Sequence, residues 1–211
     1  MKARNKITIL IVDDHPVVRH GYRLLLEGGG DMKVVAEAGN AHDAYGAAVR
    51  YLPDVIVMDI SLPDNSGLDA IGRILAREPG SRILVFSIHE NPLLMTRAKE
   101  KGAKGYLTKR SIARQMVEAV RLVAKGGEYY DCGPAASSQA AVDDPLQQLS
   151  SREFEVFLLL AKGLSVKRIA DILHISRKTV GIHHTRIMNK IGADSPAYLA
   201  RLAIRHGLIQ P

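Results

Sequence analysis

The sequence predicts an α/β chain: a doubly wound, five-stranded parallel sheet followed by a small all-α domain. Three observations predict it. Over residues 1–126, short runs rich in β-branched residues alternate with segments of helical spacing. Residues 127–148 lack apolar periodicity and concentrate Gly, Pro, Ser and Ala, which reads as a linker. From residue 149 helix starts follow one another with no strand pattern between them, so residues 149–211 form the second domain.

The strands are the clearest elements. Residues 7–12, 33–38, 55–58, 83–86 and 105–107 are short runs rich in β-branched and apolar residues, as expected of strands buried on both faces. Between them Val17, Val18, Tyr22, Leu25 and Leu26 have helical spacing, as do Ala44, Ala47, Ala48 and Tyr51, and then Ile71, Ile74 and Leu75. Ile112, Met116, Val117, Val120, Leu122 and Val123 give a further helix after the fifth strand. Gly28-Gly29-Gly30 stops the first helix. Repeated β then α implies right-handed crossovers and a parallel sheet.

Composition limits the function classes. Apolar residues are 46% and charged residues 24% of the 211, ordinary globular usage, so collagen-like and largely disordered readings fail. The single cysteine, Cys132, supplies neither an intrachain disulfide nor a thiolate zinc cage, which points to a reducing compartment. Lys2, Arg4 and Lys6 precede an apolar run of only six residues, ended by Asp13-Asp14, too short for a secretory signal. No run approaches a membrane span, so the expected location is the cytoplasm, with no membrane partner. The net charge of +7 is uneven: +5 over residues 1–126, −4 over 127–148 and +6 over 149–211. The last, shorter segment is the most basic for its length.

Parallel sheets bind ligands beyond the carboxyl ends of their strands. There the first strand ends in Asp13-Asp14, the third in Asp59 and the fourth in Ser87, and the fifth is followed by Thr108 and Lys109. Converging carboxylates repel one another and call for a cation. Mg²⁺ suits oxygen ligands of this kind and keeps sites open for phosphate, with Lys109 and Ser87 positioned to meet phosphate oxygens. The implied chemistry is phosphoryl transfer. A P-loop and a dinucleotide fingerprint are both missing, and Asp14-His15-Pro16 follows the first strand instead. A haloacid-dehalogenase-type phosphatase needs a second Asp two residues after its nucleophile, where this chain has Ser61.

On the strength of those residues, the segment 7–126 resembles a receiver domain of the two-component response regulators, a flavodoxin-like fold. The resemblance implies that Asp59, in VIVMDISLP, accepts a phosphoryl group from a histidine kinase. It also implies that Asp13, Asp14, Asp59 and the Ser61 backbone carbonyl organise Mg²⁺, and that Ser87, Tyr106 and Lys109 are the switch hydroxyl, switch aromatic and conserved-type lysine. Two departures stand out. Arg110 replaces a frequent proline, so no cis peptide is expected, and Ile88 is bulkier than the small residue common after the switch serine.

In the second domain Ser150-Ser151-Arg152-Glu153 fits a capping box, Ser165 and Ser176 cap two further helices, and Ser195-Pro196 opens a fourth. Short connections at Gly163 and His174-Ile175 suit a helix-turn-helix. On a helix over 177–191, at about 100° per residue with Ile182 at zero, Val180, Ile187 and Ile191 fall at about 160°, 140° and 180° and form the buried face. His183 and His184 flank that face as boundary residues. Lys178, Ile182, Thr185, Arg186 and Asn189 point outward, a stripe suited to a major groove.

This stretch resembles the LuxR-type DNA-binding domain, and its join to a receiver resembles the NarL/FixJ class. The resemblance implies base-facing positions at Gly181, Ile182 and Thr185, and phosphate contacts from Lys178, Arg186 and Lys190. Gly181 departs from a frequent lysine. The function implied is a phosphorylation-switched transcription regulator that dimerises when phosphorylated and binds double-stranded promoter DNA. The receiver would phosphorylate and dephosphorylate itself without turning over an external substrate. Alternatives are a DNA-binding regulator controlled by protein association without phosphorylation and a freestanding phosphatase.

Overall fold

A computed structural model of the chain describes residues 6–62, 67–131 and 144–209. The chain forms two compact units. One holds the described residues up to Ile88 and from Ala98 through the end of the sheet, and the other holds His89–Arg97 and the described residues from 144 onward.

The first unit is a parallel sheet, with strands β1 (Ile7–Val12), β2 (Met32–Ala38), β3 (Val55–Met58), β4 (Ile83–Ser87), β5 (Gly105–Thr108) and β6 (Tyr129–Asp131) in the order β2-β1-β3-β4-β5-β6. Helices α1 (Pro16–Glu27), α2 (Ala41–Tyr51), α3 (Gly67–Arg77) and α5 (Ala113–Ala124) alternate with them. The central strands β3, β4 and β5 are buried at every residue, so their sequences read as continuous apolar runs rather than alternating ones. On one face Ile9, Ile11, Val55, Val57, Leu84, Phe86 and Leu107 pack with Leu26 of α1 and with Met116, Ala119, Val120 and Val123 of α5. The alternate residues Leu10, Val12, Ile56 and Met58 face the other way and are equally buried. Each such side chain removed from water stabilises the unit by about 1.5–3 kcal/mol.

Six strands replace the five expected. β6 lies inside the stretch read as a linker, where Tyr129 and Tyr130 are only partly buried and glycines precede them, so neither periodicity nor length announced a strand. Gly105 makes the pairing possible, because a Cβ there would stand 2.6 Å from the Tyr129 carbonyl oxygen. The other end of the supposed linker is also structured: Pro145–Gln148 forms a 3₁₀ turn whose Leu146 is fully buried. Residues 132–143 of that stretch, Cys132 among them, lie outside the described residues. A helix that the apolar spacing did not announce, α4 (Pro92–Glu100), stands between β4 and β5. Its first turn is held by Asn91 Oδ1, which accepts from the Leu93 backbone N–H at 2.8 Å. Only Leu94, Arg97 and Ala98 of α4 are buried, too few for a legible apolar stripe.

The second unit contains α6 (Ser151–Ala161), α7 (Val166–Leu173), α8 (Arg177–Ile191) and α9 (Pro196–Arg205). The capping box at Ser150 and Glu153 and the caps at Ser165 and Ser176 form as expected, each hydroxyl accepting an N–H of the first turn. His174 and Gly192 end α7 and α8 in the left-handed conformation. Phe154, Val156, Phe157, Ile169, Val180, Ile187 and Leu199 fill the core. No helix among the described residues is long and apolar enough to cross a membrane.

Candidate functional site

The strand order reverses at β1, which has β2 on one side and β3 on the other, and the acidic residues sit at the carboxyl ends of β1 and β3 beside that switch point. The Asp59 backbone N–H donates to the Val12 carbonyl at 2.9 Å and that of Asp13 to Ala38 at 3.1 Å, so sheet hydrogen bonds hold both backbones. Asp13 and Asp59 are buried, at 2% and 3% exposure. The Ser61 backbone N–H donates to Asp59 Oδ1 at 2.8 Å, and that of His15 to Asp13 Oδ1 at 2.8 Å.

Lys109 supplies the countercharge. Its Nζ lies 2.5 Å from Asp13 Oδ2 and 2.6 Å from Asp59 Oδ2, spanning the two carboxylates, while its backbone N–H donates to the Ser87 carbonyl at 2.7 Å. Burial opposes the ammonium charge, but hydrogen bonds to Asp13 and Asp59 and their negative charge outweigh it and raise the Lys109 pKa above its ordinary value. Ser87 and Tyr106, at the end of β4 and in β5, are fully buried, so the Tyr106 ring already sits inside the domain. No peptide bond among the described residues is cis, in keeping with Arg110 after Lys109.

Lys109 meets two of the three carboxylates, Asp13 and Asp59, and Asp14 groups with Asp13; together the three exceed the one ammonium by two negative charges, the deficit one divalent cation balances. Asp14 Oδ1 is buried and accepts no hydrogen bond; His15 Nδ1 lies 2.7 Å from it without hydrogen-bonding geometry. Asp13, Asp14 and His15 offer ligand atoms within 4.8 Å of one another, the one such grouping among the described residues. Hard oxygen donors, a buried acceptor left open and a net negative charge fit Mg²⁺.

In the second unit α8 spans Arg177–Ile191, with Val180, Ile187 and Ile191 buried and Lys178, Ile182, Thr185, Arg186 and Asn189 exposed. His183 and His184 lie at the boundary, with His183 Nδ1 and His184 Nε2 buried, and burial lowers the His183 pKa below its ordinary value. Lys190 is engaged within the unit: its Nζ meets Glu153 Oε2 at 2.6 Å and the Gln148 carbonyl at 3.1 Å. Lys190 remains exposed to solvent beside that pairing. Burial would raise the Glu153 pKa, but Lys190 and the Ser150 cap hold it down at about 2.

Two family models match the chain, the response regulator receiver domain over residues 9–121 and the bacterial regulatory proteins of the luxR family over 147–203. The oxygen regulatory protein NreC of Staphylococcus aureus (strain bovine RF122 / ET3-1) is 37% identical over 96% of this chain and 99% of its own length. This chain belongs to the NarL/FixJ class of two-component response regulators.

Solved structures agree. A LuxR-family response regulator from Aurantimonas sp. SI85-9A1 is 38% identical, covering 59% of this chain and 89% of that one, with a TM-score of 0.58. RcsB of Salmonella enterica serovar Typhimurium, bound to promoter P1flhDC in the presence of the phosphomimetic BeF3-, is 26% identical over 94% of this chain and 98% of its own, with a TM-score of 0.75. As a response regulator with a LuxR-type domain, the chain is a DNA-binding transcription regulator of a two-component system.

Sequence reasoning missed two groups at the receiver pocket. Arg19 Nη1 donates to the Asp13 carbonyl at 2.6 Å while its Nε pairs with Glu37, bracing the acidic turn from α1. Gly67 opens α3 with its backbone against Ile60, where a Cβ would come within 2.4 Å of the Ile60 Cα. Arg19 lies on α1, Glu37 on β2 and Gly67 on α3, and no local pattern joins any of them to the turn it supports.

Proposed function

We propose that Asp59 is the phosphoacceptor, that Mg²⁺ bound by Asp13, Asp14, Asp59 and the Ser61 carbonyl assists, and that a sensor histidine kinase is the donor. An Asp59 carboxylate oxygen attacks phosphorus, the N–P bond of a phosphohistidine breaks, and its electron pair stays on the imidazole. A bound Mg²⁺ would neutralise the phosphoryl oxygens. Lys109, released from carboxylate pairing as the acyl phosphate forms, turns its ammonium to a phosphoryl oxygen, and Ser87 donates to another. Lys178, Arg186 and the outward stripe of α8 then meet promoter DNA as a dimer on a two-fold site, in the cytoplasm, with no turnover of external substrate.

The observation that carries this reading is the Lys109 ammonium spanning Asp13 and Asp59, beside a buried Asp14 oxygen that accepts no hydrogen bond. It builds a pocket that is anionic without a cation and ready for one.

The test treats wild type and Asp59→Asn with acetyl phosphate and Mg²⁺, following intact mass and affinity for promoter DNA. Wild type gains one phosphoryl mass and binds DNA more tightly, whereas Asp59→Asn does neither. Unchanged mass and affinity in wild type would overturn the switch and favour a regulator governed by association alone. Steady phosphate release from small esters would favour a phosphatase.

A further inference from the structure

We propose that α8 reads its DNA site through thymine 5-methyl groups, with Ile182 as the residue that selects them. This rests on the reading of α8 as the major-groove helix. The outward centre of the helix carries no side chain that makes a bidentate pair with a base. Gly181 has no side chain, and a Cβ placed there would meet nothing within 4 Å, so open space lies on that side of Ile182. Thr185 Oγ1 donates its proton to the Gly181 carbonyl at 3.1 Å, which leaves its methyl and an oxygen that only accepts. Ile182 stands between them with 46% of its surface exposed, while Val180, Ile187 and Ile191 of the same helix fill the core.

Guanine is read by Arg or Lys and adenine by Asn or Gln, each with two hydrogen bonds to the base edge. On α8 the cations lie to either side of this centre, with Lys178 a turn before Ile182 and Arg186 a turn after it. Asn189 is about 10 Å further along the axis. In the major groove the thymine methyl is the apolar feature of the base edges, and an exposed branched aliphatic beside a glycine gap is shaped to take it. Lys178 and Arg186 would hold the helix to the flanking phosphates, which carry no sequence information.

The experiment uses the full chain with Mg²⁺ and beryllofluoride. A duplex is first obtained by selection from a random pool, and its thymines are then replaced one at a time by deoxyuridine, which removes the methyl alone. Affinity should fall about fourfold for each contacted methyl, the value of one buried methyl-sized group. Ile182→Ala should bind the thymine and deoxyuridine duplexes alike while keeping the dependence of affinity on salt. Selective binding that deoxyuridine leaves unchanged at every position would overturn the thymine reading and leave DNA recognition standing. Equal discrimination by Ile182→Ala would overturn the role of Ile182. Recovery of no preferred duplex would remove DNA reading by α8 itself, and the proposal with it.

Discussion

The receiver pocket and the outward face of α8 are built on opposite physical terms. The pocket gathers Asp13, Asp14, Asp59, Ser87 and Lys109 from four strand ends, buries most of them and balances their charges against one another. The α8 face draws on residues of one helix, exposes them and leaves their charges to solvent. Burial strengthens each electrostatic contact in the pocket and makes every partner costly to lose. Exposure on α8 weakens each contact but lets it form anew with a partner. The proposed phosphoryl switch draws on the first arrangement, and a surface that docks on DNA draws on the second.

The comparison breaks most sharply at Asp59. Asp59→Asn should abolish phosphoryl gain altogether, read by intact mass, while leaving the selectivity of α8 for DNA unchanged. Lys109→Met is the next largest, since it strands Asp13 and Asp59 in a buried site. It should cost the receiver about 3 kcal/mol at neutral pH without Mg²⁺, measured by hydrogen exchange at β1 and β3. The pH dependence has a definite sign. The folded-state pKa of Lys109 lies above its unfolded value, so its contribution is complete below about 10.5 and is lost as pH rises through the folded value. Lys109→Met should lack that alkaline loss.

Gly67→Ala tests whether packing rather than charge places the acidic cluster. The added Cβ displaces Ile60 beside Asp59, costing the receiver about 2 kcal/mol and slowing phosphoryl gain. Smaller still is Glu153→Gln in the second unit, which removes the charge paired with Lys190 while leaving an amide oxygen for the Ser150 N–H of the capping box. About 1 kcal/mol is expected, read as faster exchange of the α6 amides. Because the Glu153 pKa is depressed to about 2, its contribution is present above pH 4.5 and fades as pH falls toward 2, a loss the variant should not show. At the low end Lys178→Ala should weaken DNA binding uniformly across sequences and reduce the salt slope by about 1.

Much of this is legible in the order of residues alone. The five runs became β1 to β5 nearly residue for residue; β3, β4 and β5, buried at every residue, have almost no polar positions to blur their ends. The serine caps and the buried face of α8 were equally plain, since helix starts and periodicity are local properties. β6 and α4 escape because they bury little of their own surface, and the Lys190–Glu153 pair escapes because nothing nearby in sequence joins α8 to α6.

The amino-acid sequence by itself determined which residue types stand at each strand end and which face of α8 is apolar. Spacing of 2 and 3.6 residues is written along the chain and needs no distant partner to be read. Only the tertiary structure decided that Lys109 spans Asp13 and Asp59, that Arg19 braces the acidic turn, and that Thr185 gives its hydroxyl proton to the Gly181 carbonyl. Each of those choices depends on which of several competing partners lies within about 3 Å, and distance is a property of the folded chain alone.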